Sequence, residues 1–121
     1  MRALLAFALI ASAQAGDVAR GRALVADRTQ SLCLLCHSLT AAGDPNQGNL
    51  APPLQSAARL APQDLRERIA DMRRFNAATV MPPFRSTDGL RDVAPAWQGR
   101  AALTEQQLDD IVAYLRSLDS R

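Results

Sequence analysis

The clearest alternation of apolar and polar positions lies near the C-terminal end of the chain. Leu108, Ile111, Val112, Leu115 and Leu118 recur at the spacing of one helical face. Thr104 and Gln107 stand in the order of a capping box, and Leu103 and Leu108 are spaced as a hydrophobic staple across the helix entry. The pattern predicts a helix after Thr104, with Tyr114 at the edge of its apolar stripe. A similar stripe, Leu65, Ile69 and Met72, follows Pro62. Proline suits the first helical position, where its missing N–H has no helical partner, and Leu60 with Leu65 repeats the staple. Met72 reads there as core filler. Arg66, Arg68, Arg73 and Arg74 read as a solvated face.

A third amphipathic stretch runs from Asp17, a plausible N-cap, to about Asp27. Val18, Gly21, Leu24 and Val25 share one face. Gly21 lowers helix stability by about 1 kcal/mol relative to alanine. Either another backbone or ring comes close there, or the glycine is simply tolerated near a helix start. Between these stretches the periodicity stops. Residues 40–53 carry Gly43, Pro45, Asn46, Gly48, Asn49, Pro52 and Pro53, the composition of an irregular loop. Residues 86–100 form a second long loop with Gly89, Pro95, Trp97 and Gly99. A loop of that length in a small domain is usually functional or wrapped around something. No run alternates as a strand would. The expectation is an all-α domain with three main helices and long loops.

The N-terminal pattern is different again. Arg2 precedes an apolar run, Ala3 to Ala11, and Ala13 with Ala15 forms an A-x-A cleavage signature. This predicts a secretory signal peptide over residues 1–15 and a mature domain over 16–121. The run is far shorter than the ~20 apolar residues of a membrane span. The expected product is therefore secreted, without a span in the mature chain.

Composition adds a constraint. The chain of 121 residues is 48% hydrophobic but only 4% aromatic. A domain of this size has a modest core, to which a buried cofactor would add bulk. The formal net charge is +2, falling to +1 once Arg2 is removed with the leader, and every basic residue other than the single histidine is arginine. The arginines are interspersed with acids, which does not resemble a nucleic-acid footprint. The absence of lysine argues against a lysine-rich docking ring.

The candidate chemistry lies in Cys33-Leu34-Leu35-Cys36-His37. In a secreted chain, Cys-x-x-Cys-His reads as c-type haem attachment. The two thiols would form thioethers with haem, and the adjacent imidazole would lie beneath the iron. A disulfide suits an oxidising compartment, but a thioredoxin-type pair would need a βαβ context that is missing. A structural zinc needs four ligands, which two cysteines and one histidine cannot supply without carboxylates. His37 is the sole histidine, so it is the proximal-ligand candidate and bis-histidine ligation within the chain is excluded. The sixth position is left to methionine, to water or to nothing. Of the mature methionines, Met81 is held in Val80-Met81-Pro82-Pro83, and the residue before a proline avoids the α region. Met81 is therefore the better axial candidate than Met72. His/Met ligation raises the reduction potential, and a closed iron favours outer-sphere electron transfer. The partner of the second His37 nitrogen is expected among the carbonyls of Ala51-Pro52-Pro53.

A helix bearing Gly21, then CLLCH, a GNLAPPL loop, a methionine–proline loop and a final helix with an aromatic resemble a class I cytochrome c. The resemblance implies that the first and last helices cross, with Gly21 against Tyr114. It also implies that Pro52 accepts from the proximal histidine and that Arg59 stands where a propionate-binding arginine often occurs. The runs RFNAATVMPPF and DGLRDVAPAWQGRAALTEQQLDDIVAYL are similar, more narrowly, to SoxX, the small c-type cytochrome subunit of SoxAX complexes. The one departure is a short interval between His37 and Met81. This second resemblance implies a periplasmic heterodimer with a SoxA-like cytochrome. The complex would act as an L-cysteine S-thiosulfotransferase, joining thiosulfate oxidatively to the carrier protein SoxYZ. The haem of this chain would then accept electrons from thiosulfate oxidation and pass them to a downstream cytochrome, with the substrate chemistry assigned to the partner. The alternatives are an autonomous periplasmic carrier and a haem enzyme or sensor with an open sixth site. An apolar interface around the haem edge would involve Trp97, Phe84 or Leu90; Trp97 is also read as core packing against haem.

Overall fold

The first helix, α1 (Val18–Ala26), starts where the Asp17 side chain accepts a hydrogen bond from the Arg20 amide at 2.7 Å. This satisfies one of the amides that a helix start leaves without an internal partner. The computed structural model describes residues 15–39 and 45–118. The leader expected over residues 1–15 lies, apart from Ala15, outside the described residues, as do Gly43 and the neighbours of that loop. The remaining helices are α2 (Leu54–Ala57), α3 (Pro62–Ala70) and α4 (Glu105–Ser117). Short 3₁₀ turns occupy Cys33–Leu35, Met72–Arg74 and Pro95–Trp97, and no strand occurs among the described residues.

α4 is the element on which the others pack. Its capping box is formed in both directions: Thr104 accepts from the Gln107 amide at 3.1 Å, and Gln107 accepts from the Thr104 amide at 2.9 Å. Leu103, Leu108, Ile111, Val112, Leu115 and Leu118 are all buried. α1 makes the most extensive helix pair with α4, and α3 the next. The α1–α4 approach explains Gly21. A Cβ there would overlap the Asp110 carbonyl and stand 2.8 Å from Tyr114 Cβ. Close backbone approach, rather than tolerance, is therefore what keeps that position side-chain-free. Gly16 stands against α4 in the same way, at the Asp109 carbonyl.

Several expectations change at this level. Tyr114 is not at the edge of the stripe but 2% exposed, because α1 covers it. Val18 stays exposed while Gly21 and Val25 are buried, so the covered face of α1 is narrower than its apolar spacing. Met72 lies beyond α3 in a 3₁₀ turn, since Asp71 leaves helical geometry at φ −161° and caps that turn by accepting from the Arg73 amide. The short helix α2 forms directly after the double proline, beyond the three main helices expected. The arginines are less solvated than their pattern implied. Arg66 pairs with Asp109 at 2.8 Å and with Glu105, tying α3 to α4. Arg116 donates to the Ala58 and Leu60 carbonyls, and Arg73 pairs with Asp71 at 2.8 Å.

Candidate functional site

The Cys33–His37 segment is set by the backbone on both sides. Leu32 adopts the left-handed region at φ 58°, a conformation a bulky side chain rarely takes. The chain reverses there into the 3₁₀ turn Cys33–Leu35, whose next amides, Cys36 and His37, both donate to the Cys33 carbonyl. Ser31, fully buried, anchors the reversal by donating to the Leu24 carbonyl at 2.5 Å. The loop after the motif then folds back on it. The Gly48 amide donates to Leu34 at 2.7 Å, Ala51 to Cys36 at 2.9 Å and Leu54 to Ser38 at 2.8 Å. Gly48 has no room for a Cβ, which would overlap the Leu35 carbonyl. Its place in the GNLAPPL run thus follows from close approach to the motif.

This return brings the Pro52 carbonyl to 2.6 Å from His37 Nδ1. With a carbonyl as partner, Nδ1 carries the proton and donates, which leaves the Nε2 lone pair for a metal. No disulfide joins Cys33 and Cys36. Burial pushes the Cys33 thiol up, against a hydrogen bond from Ser31.

The methionine–proline loop is held independently. The Met81 amide donates to Thr79 Oγ1 at 3.1 Å. Beyond it, the Arg85 amide donates to the Ala70 carbonyl at 3.0 Å, and the Leu103 amide donates to the Phe84 carbonyl at 3.0 Å. These bonds fasten the loop to the end of α3 and to the entry of α4.

The two segments line one cavity of about 560 Å³, within the ~300–1,000 Å³ usual for cofactor sites. Cys33, Cys36, His37, Pro52 and Met81 all line it, and its walls include Leu54, Ile69, Phe84, Leu103, Ile111 and Leu115. Met72 lines it as well. Sequence periodicity had assigned that side chain to the core, and the signal that would have found it is Asp71, which ends the helix. Arg59 is exposed and does not belong to the lining. Trp97 and Leu90 also lie elsewhere. About half exposed, they line a separate hollow of about 260 Å³, with the Arg100 guanidinium 4.9 Å over the indole. Core packing of Trp97 against a cofactor is thereby replaced by surface stacking, whereas Phe84 is buried.

The donor set fits covalent haem. Two thiols and an imidazole line a mainly apolar cavity, and the imidazole is already oriented by a carbonyl. Among the described residues, no three His, Cys, Asp or Glu side chains gather as a metal cluster would require. The zinc alternative therefore lacks its carboxylates there. No helix among the described residues is long and apolar enough to cross a membrane.

Comparison with known proteins agrees with this geometry. No curated protein matches the sequence. A chain in the crystal structure of SoxXA from P. pantotrophus is 28% identical, with a TM-score of 0.75; the match covers 88% of this chain and 85% of that one. The fold is the all-α class I type, SoxX-like in character, and the family implies covalently bound haem c and electron transfer. The cytochrome c family model matches residues 18–119, and the chain belongs to that family.

Proposed function

We propose that the mature chain is residues 16–121, and that it is the periplasmic electron-relay subunit of a SoxAX-type thiosulfotransferase, paired with a SoxA-like cytochrome. Cys33 and Cys36 would hold haem c covalently, and His37 and Met81 would supply the imidazole and thioether donors to its iron. Haem c supplies a one-electron couple when bound. The protein's part is to orient, enclose and insulate. Pro52 fixes the His37 ring and its tautomer through Nδ1. Thr79 and the two prolines after Met81 hold the thioether donor. The apolar wall excludes water, and a thioether favours the reduced metal and raises the potential.

The observation that carries this reading is the single cavity shared by the motif, the Pro52-held imidazole and Met81. The likeness to a SoxXA chain supports the choice of complex. In that arrangement the chain receives electrons released when thiosulfate is joined to a carrier of the SoxYZ kind, and delivers them to another cytochrome. The substrate chemistry belongs to the partner.

Two experiments test the proposal separately. Met81→Ala is expected to abolish the long-wavelength band of ferric thioether ligation and to lower the potential, while Met72→Leu preserves the band. A band retained in Met81→Ala and lost in Met72→Leu would exchange the two assignments. For the complex, the chain is co-expressed with haem-maturation machinery and a SoxA-type cytochrome. Stable co-purification is expected. Absence of a complex, together with efficient reduction by a general respiratory donor, would instead establish an autonomous carrier.

A further inference from the structure

Arg73 stands outside the cavity lining, yet its guanidinium is engaged at the base of the loop that carries Met81. Nε and Nη2 donate to the two oxygens of Asp71, each at 2.8 Å, as a bidentate fork. Nη1 donates to the Asp88 carbonyl at 2.8 Å, and Nη2 also donates to Ser86 Oγ at 3.2 Å. Gly89, left-handed at φ 71°, turns the chain directly after that carbonyl. One side chain thus joins the turn that follows α3 to the stretch by which the chain leaves the loop. An isolated surface ion pair contributes little, but a fork joined to further acceptors is the exception.

Within the loop the hydrogen bonds are local. The Phe75 and Asn76 amides donate to the Met72 carbonyl, the Thr79 amide to the Asn76 carbonyl, the Ala78 amide to Asn76 Oδ1 and the Met81 amide to Thr79 Oγ1. Pro82 and Pro83 have no amide to donate. Among the described residues, the first backbone bonds to another element after Met81 run from the Phe84 and Arg85 amides to Ile69 and Ala70, at 3.4 and 3.0 Å. The position of Met81 therefore depends on its packing against the core and on how the two ends of the loop are held.

We infer, taking Met81 as the thioether donor proposed above, that Arg73 is its positioning residue: the clasp of Asp71, Arg73, Ser86 and Asp88 closes the base of the loop and keeps the thioether in the cavity. Without the clasp, the base is left to the two backbone bonds from Phe84 and Arg85. The loop then opens more often as a unit, without unfolding of the helices. An added ligand enters only while Met81 is away, so its apparent affinity is scaled by the open fraction.

The test titrates ferric holoprotein with imidazole and follows the thioether band and the reduction potential. Arg73→Ala is expected to raise imidazole affinity at least about fivefold, to weaken the band and to lower the potential. Unchanged affinity overturns the inference. Arg20→Ala removes the ion pair between α1 and α4; it is expected to lower Tm and leave imidazole affinity as in the wild type. An equal rise in that variant also overturns the inference, because the readout would then follow global stability. Repeating the titrations in Met72→Leu removes the other thioether at the cavity wall. Where Arg73→Ala yields no holoprotein, Asp71→Asn decides. It keeps an oxygen to cap the turn but loses the charge, and should raise imidazole affinity at least about twofold; a wild-type value overturns the clasp. Met81→Ala separates the two readings. A band that survives it defeats the donor assignment, whereas a band lost there beside a wild-type response in Arg73→Ala defeats the clasp alone.

Discussion

Asp110 is 2% exposed on α4, where an unpaired charge would be heavily penalised. It accepts from the Asp17 amide at 2.7 Å, Arg20 Nε at 2.8 Å and Gln106 Nε2 at 3.0 Å. The Arg20 hydrogen bond, opposed by burial, leads in holding its carboxyl down to about 2. An unfolded aspartate titrates near ~3.9. A depressed folded value stabilises the native state above that range; the stabilisation falls as pH drops through it and is gone below about 2. Arg20 is half exposed, so solvent screens part of the pairing. Asp110→Ala is expected to lower stability by roughly 1–2 kcal/mol at neutral pH, on the order of 5–10 °C in Tm for a domain of this size. Thermal melts of both proteins between pH 7 and pH 2 should show the gap closing below about pH 4. A gap that holds constant to the acid end would mean that packing, not charge, is what the substitution removes.

Among the elements, the α1–α4 crossing has the least tolerance. Gly21→Ala places a methyl group inside the Asp110 carbonyl, and backbone cannot rotate aside as a side chain can. The expected loss is at or above the upper end of the ~1–3 kcal/mol typical of overpacking, read as a lower denaturation midpoint with an unchanged slope. Thr104→Ala acts on one helix end only and should lower stability by about 1 kcal/mol. Equal losses in the two variants would show that the helices separate at the crossing at little cost. These two sites also mark where the sequence is informative. The Thr104–Gln107 box, the Asp17 cap and the Cys33–His37 motif are recognised within a few residues, and the two caps form as their spacing implies. The burial of Tyr114 and the Arg20–Asp110 pair depend on which helix crosses which, and local periodicity carries no record of that. Met72 did have a local signal in Asp71, which ends the helix before it and caps the next turn. Trp97 was misread because a large aromatic in a long loop suggests core, whereas here Arg100 covers it at the surface.

On the scale of the molecule, the buried hydrophobic side chains are assembled around a space they do not fill. Ile69, Phe84, Leu103, Ile111 and Leu115 belong both to the core and to the wall of the 560 Å³ cavity. At ~24 cal/mol per Å³, an empty space of that volume would correspond to roughly 13 kcal/mol, an upper bound because the mouth is open to water. Native domains have only about 5–15 kcal/mol of stability in total. The protein part alone is therefore not expected to keep this arrangement; the group inside completes the core as well as carrying the electron. Cys33→Ser/Cys36→Ser, which removes both covalent anchors, should yield a chain with reduced helicity and no cooperative thermal transition, measured by circular dichroism beside the wild-type holoprotein. His37→Ala in the attached protein provides the contrast. The thioether-anchored ring would still fill the cavity, so helicity and cooperativity should largely persist while the potential and the ligation spectrum change. Loss of the cooperative transition in His37→Ala alone would place the stabilisation in the axial bond rather than in the filling of the cavity.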